Sequence, residues 1–389
     1  MFRCLKSSTL AGKDIFAKNT RIMERIKIAD IIEALEAHAP LMLQESYDNA
    51  GLICGDRQDT VEKVLITIDI TRDVLEEAKT RRCGLIISHH PLIFKPLKNL
   101  TGINEVQRLV IDAIRHRISL YAVHTNLDNV HQGVSFALAE KLGLTRLRVL
   151  KPAEGMLRKL VTFCPKDHAE RVRQAIFDAG AGHIGNYDCC SFNVSGQGSF
   201  RGGEGSNPFT GKAGQLHVED EIRIETIFPA WLESSLLSAM KAAHPYEEVA
   251  YDIYPLENKH QRAGSGMIGA LKEPMEETTF LAMVKETAGS GVIRYTGIRN
   301  RPVKKVAVCG GAGAFLIRQA IQSGADAYIT GDLKYHDFFE TEGRLLLADI
   351  GHYESEQFAK ALIYSIISQK FPNFAALISD YSTNPVNCL

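Results

Sequence analysis

The chain has 389 residues, of which 45% are hydrophobic and 23% are charged, and its formal net charge at pH 7 is -1. This composition is ordinary for a soluble globular protein, and the length predicts two or three domains. The near-neutral charge argues against nucleic acid or an anionic membrane surface as a partner, and no apolar stretch reaches the roughly 20 residues that a membrane span requires.

The segment that precedes Met23 is basic, with lysine or arginine at positions 3, 6, 13, 18 and 21 and Asp14 as its only acid. Residues 1–22 are therefore predicted to be a basic N-terminal tail, and they lack the long apolar centre of a secretory signal. A disordered tail and translation that starts at Met23 are both favoured over an organellar transit segment.

Residues 23–152 alternate between helical and strand patterns. The spacing of apolar residues predicts helices near 27–38, 72–80, 104–116 and 133–142. Short apolar runs predict a strand at 64–69 and further strands that end at His89 and at His124. This alternation is typical of βαβ units, so we expect a mainly parallel sheet that forms the first half of an α/β domain.

Residues 153–258 have a different pattern. Strands are predicted at 160–163, 221–226 and 249–254, and helices at 168–179 and 231–243. The stretch 195–214 is rich in glycine and serine and is expected to be a turn or an exposed loop. The order β-α-β-β-α-β is that of a ferredoxin-like module, which predicts an α+β domain inserted into the α/β domain.

From Gly264 onward the α/β pattern returns. Strands are predicted at 303–308, 327–330, 345–348 and 376–379, and the longest helix at about 354–370. Residues 264–389 are predicted to be the second half of one layered α/β domain, and an internal two-fold resemblance between the halves is a further hypothesis.

The glycine-rich stretch from Val308 to Phe315 follows a predicted strand and opens a helix, as a dinucleotide-binding loop would. Leu316 stands where the third glycine of that fingerprint belongs, and no acidic residue closes the following strand at the expected distance. A tight strand-to-helix turn is therefore favoured, although the start of the helix could still hold a phosphate.

Histidines and carboxylates stand just after three apolar runs. The segments are Ser88–Pro91, His124–Asp128 and Gly351–Glu356. Open α/β sheets bind ligands at the carboxyl ends of their strands, so these side chains can converge. His352 and Glu356 are four residues apart at a helix start and share one face.

Imidazole and carboxylate ligands without thiolate suit zinc, manganese, iron, cobalt or nickel. One catalytic zinc needs three or four protein ligands, and five or more are available here, so two divalent ions that share a carboxylate are predicted. Such a centre would generate hydroxide at neutral pH.

In combination, these motifs resemble the NIF-three-like family, whose members are also called type 2 homologues of GTP cyclohydrolase 1. The matching motifs are Glu45–Gly51, Ser88–Pro91, His124–Asp128, Gly331-Asp332 with His336, and Gly351-His352 with Glu356. Tyr47 stands where many relatives have tryptophan. Longer members carry an insert similar to CutA and PII-type signalling proteins, and residues 153–258 look like that insert. Its recognisable piece is His244–Glu248, which we interpret as a turn rather than a ligand site.

The resemblance implies a dinuclear metal centre in each subunit of a toroidal homo-hexamer. The implied metal ligands are His89, His90, Asp128, His352 and Glu356. Glu356 is the preferred bridge between the two ions, and His124 and His336 are candidate catalytic groups that orient ligands or donate protons. Asp69, Asp48 and Asn49 are expected to line the site, although turn chemistry explains Asp48 and Asn49 equally well.

Two functions remain open. The leading hypothesis is a metal-dependent hydrolase of a nucleotide-like or other phosphorylated small molecule, and the family name suggests opening of the imidazole ring of GTP. The alternative is a non-enzymatic metal-binding or regulatory ring that serves as a metal carrier or scaffold. The eight cysteines are scattered without a C-x-x-C pair, which favours reduced thiols in a cytoplasmic protein.

Overall fold

The computed structural model describes residues 25–389, so the predicted tail at 1–22 and the choice between Met1 and Met23 lie outside the described residues. The first outer segment contains strands β1 (Ile26–Lys27), β2 (Gly51–Cys54), β3 (Thr60–Val61), β4 (Lys63–Thr67), β5 (Leu85–Ser88), β6 (Ser119–Ala122) and β7 (Thr145–Ala153). Its helices are α1 (Ile28–His38), α2 (Arg72–Arg81), α3 (Glu105–Arg115), α4 (Thr125–Asp128) and α5 (Val134–Lys141).

The middle segment contains β8 (Leu157–Pro165), α6 (Ala169–Asp178), β9 (Phe192–Arg201), β10 (Leu216–Pro229), α7 (Glu233–Ala243) and β11 (Tyr251–Leu256). The strands of the last segment are β12 (His260–Met275), β13 (Arg294–Tyr295), β14 (Val303–Ala312), β15 (Ala327–Gly331), β16 (Leu346–Asp349) and β17 (Ala375–Ile378). Its helices are α8 (Glu277–Ala288), α9 (Ile317–Gln322), α10 (His352–Glu356) and α11 (Ala359–Lys370).

A five-stranded sheet has the order β17-β4-β5-β6-β2, in which only β2 runs antiparallel to its neighbour. Successive residues of β4 point to opposite faces. Val64 and Ile66 pack with α1 and α11, whereas Leu65 packs with α2 and α3. Both faces are therefore covered, which explains why the strands read as continuous apolar runs.

A six-stranded sheet has the order β13-β16-β15-β14-β12-β7, and its central strands β14, β15 and β16 are parallel. Each of the two large sheets takes an edge strand from the other outer segment, because β17 joins the first sheet and β7 joins the second. The predicted mixed α/β class is confirmed. Among residues 25–389, no helix combines the length and the apolar character needed to cross a membrane.

The middle segment forms a four-stranded antiparallel sheet with the order β11-β8-β10-β9, and α6 and α7 pack on one face of it. The chain enters and leaves this segment through adjacent strands, since Ala153 of β7 pairs with His260 of β12. The prediction of a loop at 195–214 is wrong for residues 195–201, which belong to β9. The backbone ladder with β10 forms this edge strand despite its glycines, which illustrates how tertiary pairing overrides propensity.

The long helix predicted at 354–370 is interrupted. It begins earlier, at His352, and α10 and α11 are separated by Gln357 and Phe358. The Gln357 side chain donates to the carbonyl of Ala288 at the end of α8, at 2.7 Å. This contact comes from a distant element, so the local apolar pattern does not predict the break.

Candidate metal centre

The candidate site lies where the two large sheets meet. His89 and His90 follow β5, and His124 follows the neighbouring parallel strand β6, so all three stand at carboxyl ends of one sheet. Asp128 ends the short helix α4, which begins directly after His124. The other sheet contributes α10, which follows β16 and carries both His352 and Glu356.

Glu356 is the geometric centre of this group. Its Oε2 atom lies 2.9 Å from His90 Nε2, 3.0 Å from His352 Nε2 and 3.7 Å from His89 Nε2. Its side chain is only 3% exposed. Ligand atoms of His89, His90 and Glu356 lie within 4.8 Å of one another. One carboxylate oxygen therefore faces three imidazole nitrogens.

Each histidine of the site is held through Nδ1 by an acceptor outside the cluster. The pairs are His89 with the Val123 carbonyl at 2.8 Å, and His90 with Asp69, His124 with Asp48 and His352 with Asp332, each at 2.7 Å. Because these partners accept, Nδ1 carries the proton and Nε2 of a neutral ring presents a lone pair. The Nε2 atoms of His90 and His352 lie 3.3 Å apart, an arrangement that a shared cation would stabilise.

Two buried atoms test whether a metal fits here. His89 Nε2 and Asp128 Oδ1 lie 3.7 Å apart, and neither has a hydrogen-bond partner within residues 25–389. An unsatisfied buried polar atom costs about 1–3 kcal/mol, so two such atoms facing each other need an explanation. A divalent ion that accepts nitrogen and oxygen ligands supplies one, and the residues present therefore fit such an ion.

The pKa shifts within the cluster also favour a bound cation. Burial lowers the pKa of His90, but its hydrogen bonds with Asp69 and Glu356 outweigh burial and raise that pKa to about 10. Burial also lowers the pKa of His352, but its hydrogen bonds with Glu356 and Asp332 outweigh burial and raise that pKa to about 9. Burial raises the pKa of Asp128 to about 6. The carboxylates thus favour positive charge, which a metal ion would supply in place of protons.

Asp48 and Asp69 connect the site to distant segments. Asp48 Oδ2 accepts from the Thr125 backbone N–H at 3.0 Å and from the Thr125 hydroxyl. Burial opposes its ionisation, but the hydrogen bonds from His124 and Thr125 win and lower its pKa to about 2. Asp69 Oδ2 accepts from Thr383 near the C-terminus at 2.7 Å. Both carboxylates orient histidines through Nδ1.

Asn49 and His336 contact residues outside the histidine cluster. Asn49 Nδ2 donates to the Ile93 carbonyl at 2.6 Å and so braces a loop. His336 is exposed in a 3-10 helix, with its ring centroid 5.2 Å from Tyr335 and 6.2 Å from Phe339. Within the described part of the chain, neither a hydrogen bond nor a ring contact joins His336 to the histidine cluster. Its motif partner Asp332 does reach His352.

The glycine-rich end of β14 is the contribution that sequence reasoning missed. A Cβ on Gly311 would lie 2.2 Å from Glu356 Oε1, and the φ angle of Gly311 is +63°. A Cβ on Gly310 would lie 3.3 Å from Glu356 Cγ. The strand-to-helix turn predicted at 308–315 is shorter than expected, because β14 continues to Ala312 and a 3-10 helix begins at Ala314. The missing side chains of the two glycines make room for Glu356. The available signal was a pair of adjacent glycines without the rest of a dinucleotide fingerprint.

Comparisons with known proteins agree with the resemblance seen in the motifs. The family model for Duf34/NIF3 (NGG1p interacting factor 3) matches residues 26–385. The chain is 38% identical over 364 residues to the GTP cyclohydrolase 1 type 2 homolog of Bacillus subtilis (strain 168), which covers 92% of this chain and 98% of that protein. It is 40% identical over 315 residues to the homolog of Halalkalibacterium halodurans, and the match covers 80% of this chain and 85% of that protein.

Solved structures share the fold. The Bacillus cereus protein related to NIF3 superposes with a TM-score of 0.82 at 40% identity, covering 94% of this chain and 99% of that chain. Staphylococcus aureus protein SA1388 superposes with a TM-score of 0.73 at 30% identity, also covering 94% and 99%. Similarity therefore extends over both outer segments and the middle segment.

Proposed function

The chain belongs to the Duf34/NIF3 family, and from that premise we propose that it is a metal-dependent hydrolase of a nucleotide-like or other phosphorylated small molecule. The observation that carries the proposal is the buried, unpartnered pair of His89 Nε2 and Asp128 Oδ1 beside Glu356. The names of the relatives, GTP cyclohydrolase 1 type 2 homolog, make GTP the first substrate to test.

The proposed centre holds two divalent ions, with zinc, manganese, iron, cobalt and nickel as the candidates. His89 and Asp128 would bind one ion, and His90 and His352 the other. Glu356 would be shared, since its Oε2 atom lies within 3.7 Å of all three imidazole nitrogens that face it. The absence of thiolate from this set supports the listed metals over a structural Cys-type zinc site.

Divalent ions bound here would act as Lewis acids and lower the pKa of a water molecule. His124 is proposed to move the proton. Its Nδ1 is held by Asp48, which leaves Nε2 for exchange, and its ring centroid lies 5.5 Å from that of His89 and 5.3 Å from that of His90. His336 remains a second candidate proton donor, which would act only on a substrate that extends to the Tyr335–Thr341 helix.

The first experiment measures metal per subunit by plasma mass spectrometry. Wild type is compared with Glu356→Ala and with Glu354→Ala, which lies on the same helix but binds Asn384 instead of the cluster. We expect about two ions in wild type and in Glu354→Ala, and a sharp loss in Glu356→Ala. A metal content near zero in wild type after supplementation with zinc, manganese and iron would overturn the metal centre and the hydrolase with it.

The second experiment measures turnover of GTP by the metal-loaded protein, followed by a panel of nucleotides and phosphoesters. The proposal predicts turnover that Glu356→Ala abolishes and that His124→Ala reduces about 10²–10⁴-fold while metal content stays near wild type. Full metal content without turnover across the panel would support the alternative, a non-enzymatic metal-binding ring.

Two features of the architecture are part of the proposal. The strand order β11-β8-β10-β9, with both helices on one face, supports a ferredoxin-like domain inserted at 153–258 between α/β halves at 23–152 and 264–389. We also propose a homo-hexameric ring. Light scattering should then give six times the mass of the 43.0 kDa chain, and a monomer or dimer mass would contradict the ring.

A further inference from the structure

A second concave site lies in the middle segment, far along the chain from the metal ligands. Its volume is about 660 Å³, and all of its lining residues fall between Phe163 and Ala250. Leu160 and Cys164 of β8 pack with the helices, so Phe163 lies on the opposite face of the four-stranded sheet. Volumes of about 300–1,000 Å³ are typical of small-molecule sites.

The walls of this cavity are aromatic. Phe163, Phe200, Phe209 and Tyr246 all line it. The ring centroid of Tyr246 lies 5.9 Å from Phe200 and 6.2 Å from Phe209, and Phe209 is 51% exposed. Because these rings line the cavity, a ligand inside it would contact aromatic surface. The cavity is therefore suited to a flat, apolar ligand body.

One carboxylate is fixed inside the cavity. Glu221 is half-buried, and its Oε1 atom accepts the hydroxyl of Tyr246 at 2.8 Å. The other charges that line the cavity are engaged or lie at the rim. Arg223 pairs with Glu225 at 2.8 Å, and Glu247 accepts the Asn207 backbone N–H at 2.9 Å, while Arg201 and Glu248 are exposed. Glu221 thus offers its second oxygen to a donor or a cation.

Two glycines of β9 form part of the floor. A Cβ on Gly198 would lie 2.1 Å from Glu221 Oε2, so a side chain there would displace the carboxylate. A Cβ on Gly196 would meet no atom of the described residues within 4 Å, so packing within the chain does not require that one. Glycine weakens a strand, and it is found where a ligand approaches the backbone closely. Gly196 keeps the cavity open.

We propose that this cavity binds a small aromatic cation, with its ring against Phe200, Phe209 and Tyr246 and its positive group on Glu221. Aromatic faces and a carboxylate together favour a cation, because ring quadrupoles and the negative charge attract it in the same place. The site is independent of the metal centre and of the reaction proposed there.

Three probes with one ring system separate the contributions to binding. Tryptamine, 3-methylindole and indole-3-propionate differ in charge at one end of an indole, and each is titrated into the full chain by calorimetry. Tryptamine should bind at least tenfold more tightly than 3-methylindole, and indole-3-propionate should bind most weakly. Equal affinities, tighter binding of the acid, or no binding of any probe would overturn the proposal.

Variants locate the binding. Gly196→Leu fills the cavity and should abolish tryptamine binding, whereas Gly203→Leu, at a neighbouring position with equally open surroundings that does not line the cavity, should leave it unchanged. Glu221→Gln keeps an acceptor for Tyr246 and should weaken tryptamine at least tenfold without changing 3-methylindole. If Gly196→Leu misfolds, Phe209→Ala tests the same cavity, because Phe209 lines it from an exposed loop.

Each contrary outcome has a distinct meaning. Retained tryptamine binding in both Gly196→Leu and Phe209→Ala would place the ligand elsewhere and refute the assignment. A changed oligomeric mass for Gly196→Leu, with no tryptamine binding in wild type, would mean that another copy of the chain occupies this face. Metal content is measured alongside and should be the same in all of these variants, so failure here is distinguishable from failure of the metal centre.

Discussion

At the scale of single residues, the candidate metal centre depends on side chains outside the proposed ligand set. Asp332 holds Nδ1 of His352 from a backbone with φ of +56°, a conformation that most residues avoid. Strained backbone at such a position is stable only when the surrounding contacts compensate for it. The geometry of Asp332 is therefore part of the site.

Asp332→Ala should weaken metal binding by about 10- to 100-fold, because the ring of His352 loses the acceptor that orients it. Competition with a chelator measures the dissociation constant. Glu340→Gln, in the 3-10 helix that follows, is a surface control with a long contact of 3.7 Å to Arg318. Equal affinities for the two variants would show that Asp332 has no orienting role.

Gly311→Ala should empty the metal centre, because the added methyl group collides with Glu356 and the backbone conformation favours glycine. Gly324→Ala is a matched control, with φ of +69° and only the end of the Lys305 side chain nearby, at 3.8 Å. Both variants should lose about 1 kcal/mol of unfolding free energy in urea. Only Gly311→Ala should lose metal, and similar losses in both would contradict the role of this glycine.

At the scale of elements, α8 is fixed by a buried ion pair at its first residue. Glu277 accepts from Arg299 Nε at 2.7 Å and from the backbone N–H groups of Arg299 and Asn300 at 2.7 and 2.9 Å. Burial alone would raise the pKa of Glu277, but these hydrogen bonds lower it below its usual value. The ionised carboxylate joins the helix to the loop before β14.

The sign of the pH dependence follows from that lowered pKa. The stabilisation by Glu277 is complete above the pKa of the unfolded chain, about 4.3, and is lost as pH falls through the lower pKa of the folded chain. Glu277→Gln should cost about 3–5 kcal/mol at pH 7, and the difference from wild type should shrink below pH 4. Urea unfolding at several pH values measures this, and a constant difference would contradict it.

Helices and buried strands were predictable to within a few residues because their pattern is local. The spacing of Ile28, Ile31 and Leu35 is sufficient to predict α1. The failures at β9 and at the break after α10 share one cause, which is a partner distant in sequence. The residues of β9 do not reveal that they pair with β10, and the residues around Gln357 do not reveal its contact with the Ala288 carbonyl.

The same distinction applies to the site. Strand ends carrying His89, His90 and His124 predicted a convergence, since parallel strands of one sheet end at one edge. The orienting role of Asp332 and the space left by Gly311 depend on how the two sheets meet, and no periodicity encodes that. His336 matched a motif, yet the structure holds it on an exposed helix against Tyr335 and Phe339.

At the scale of the whole molecule, the outer segments are interlocked through β7 and β17. A chain that ends at Asn373 lacks β17 and Thr383, the residue that contacts Asp69. It should bind little metal and unfold at a lower urea concentration. A chain that ends at Asn384 keeps both features and should behave as wild type, so equal behaviour of the two truncations would contradict the interlocking.

The pairing of Ala153 with His260 makes the middle segment, in topological terms, an enlarged hairpin loop. Neighbouring antiparallel strands lie about 5 Å apart, a gap that two residues can bridge. Replacing residues 154–259 with Asn-Gly should give a minimal protein that folds and keeps its metal, as mass spectrometry would reveal. Loss of metal there would mean that the loop is structural. A minimal protein that keeps its metal would instead be a scaffold in which other domains could be inserted between β7 and β12.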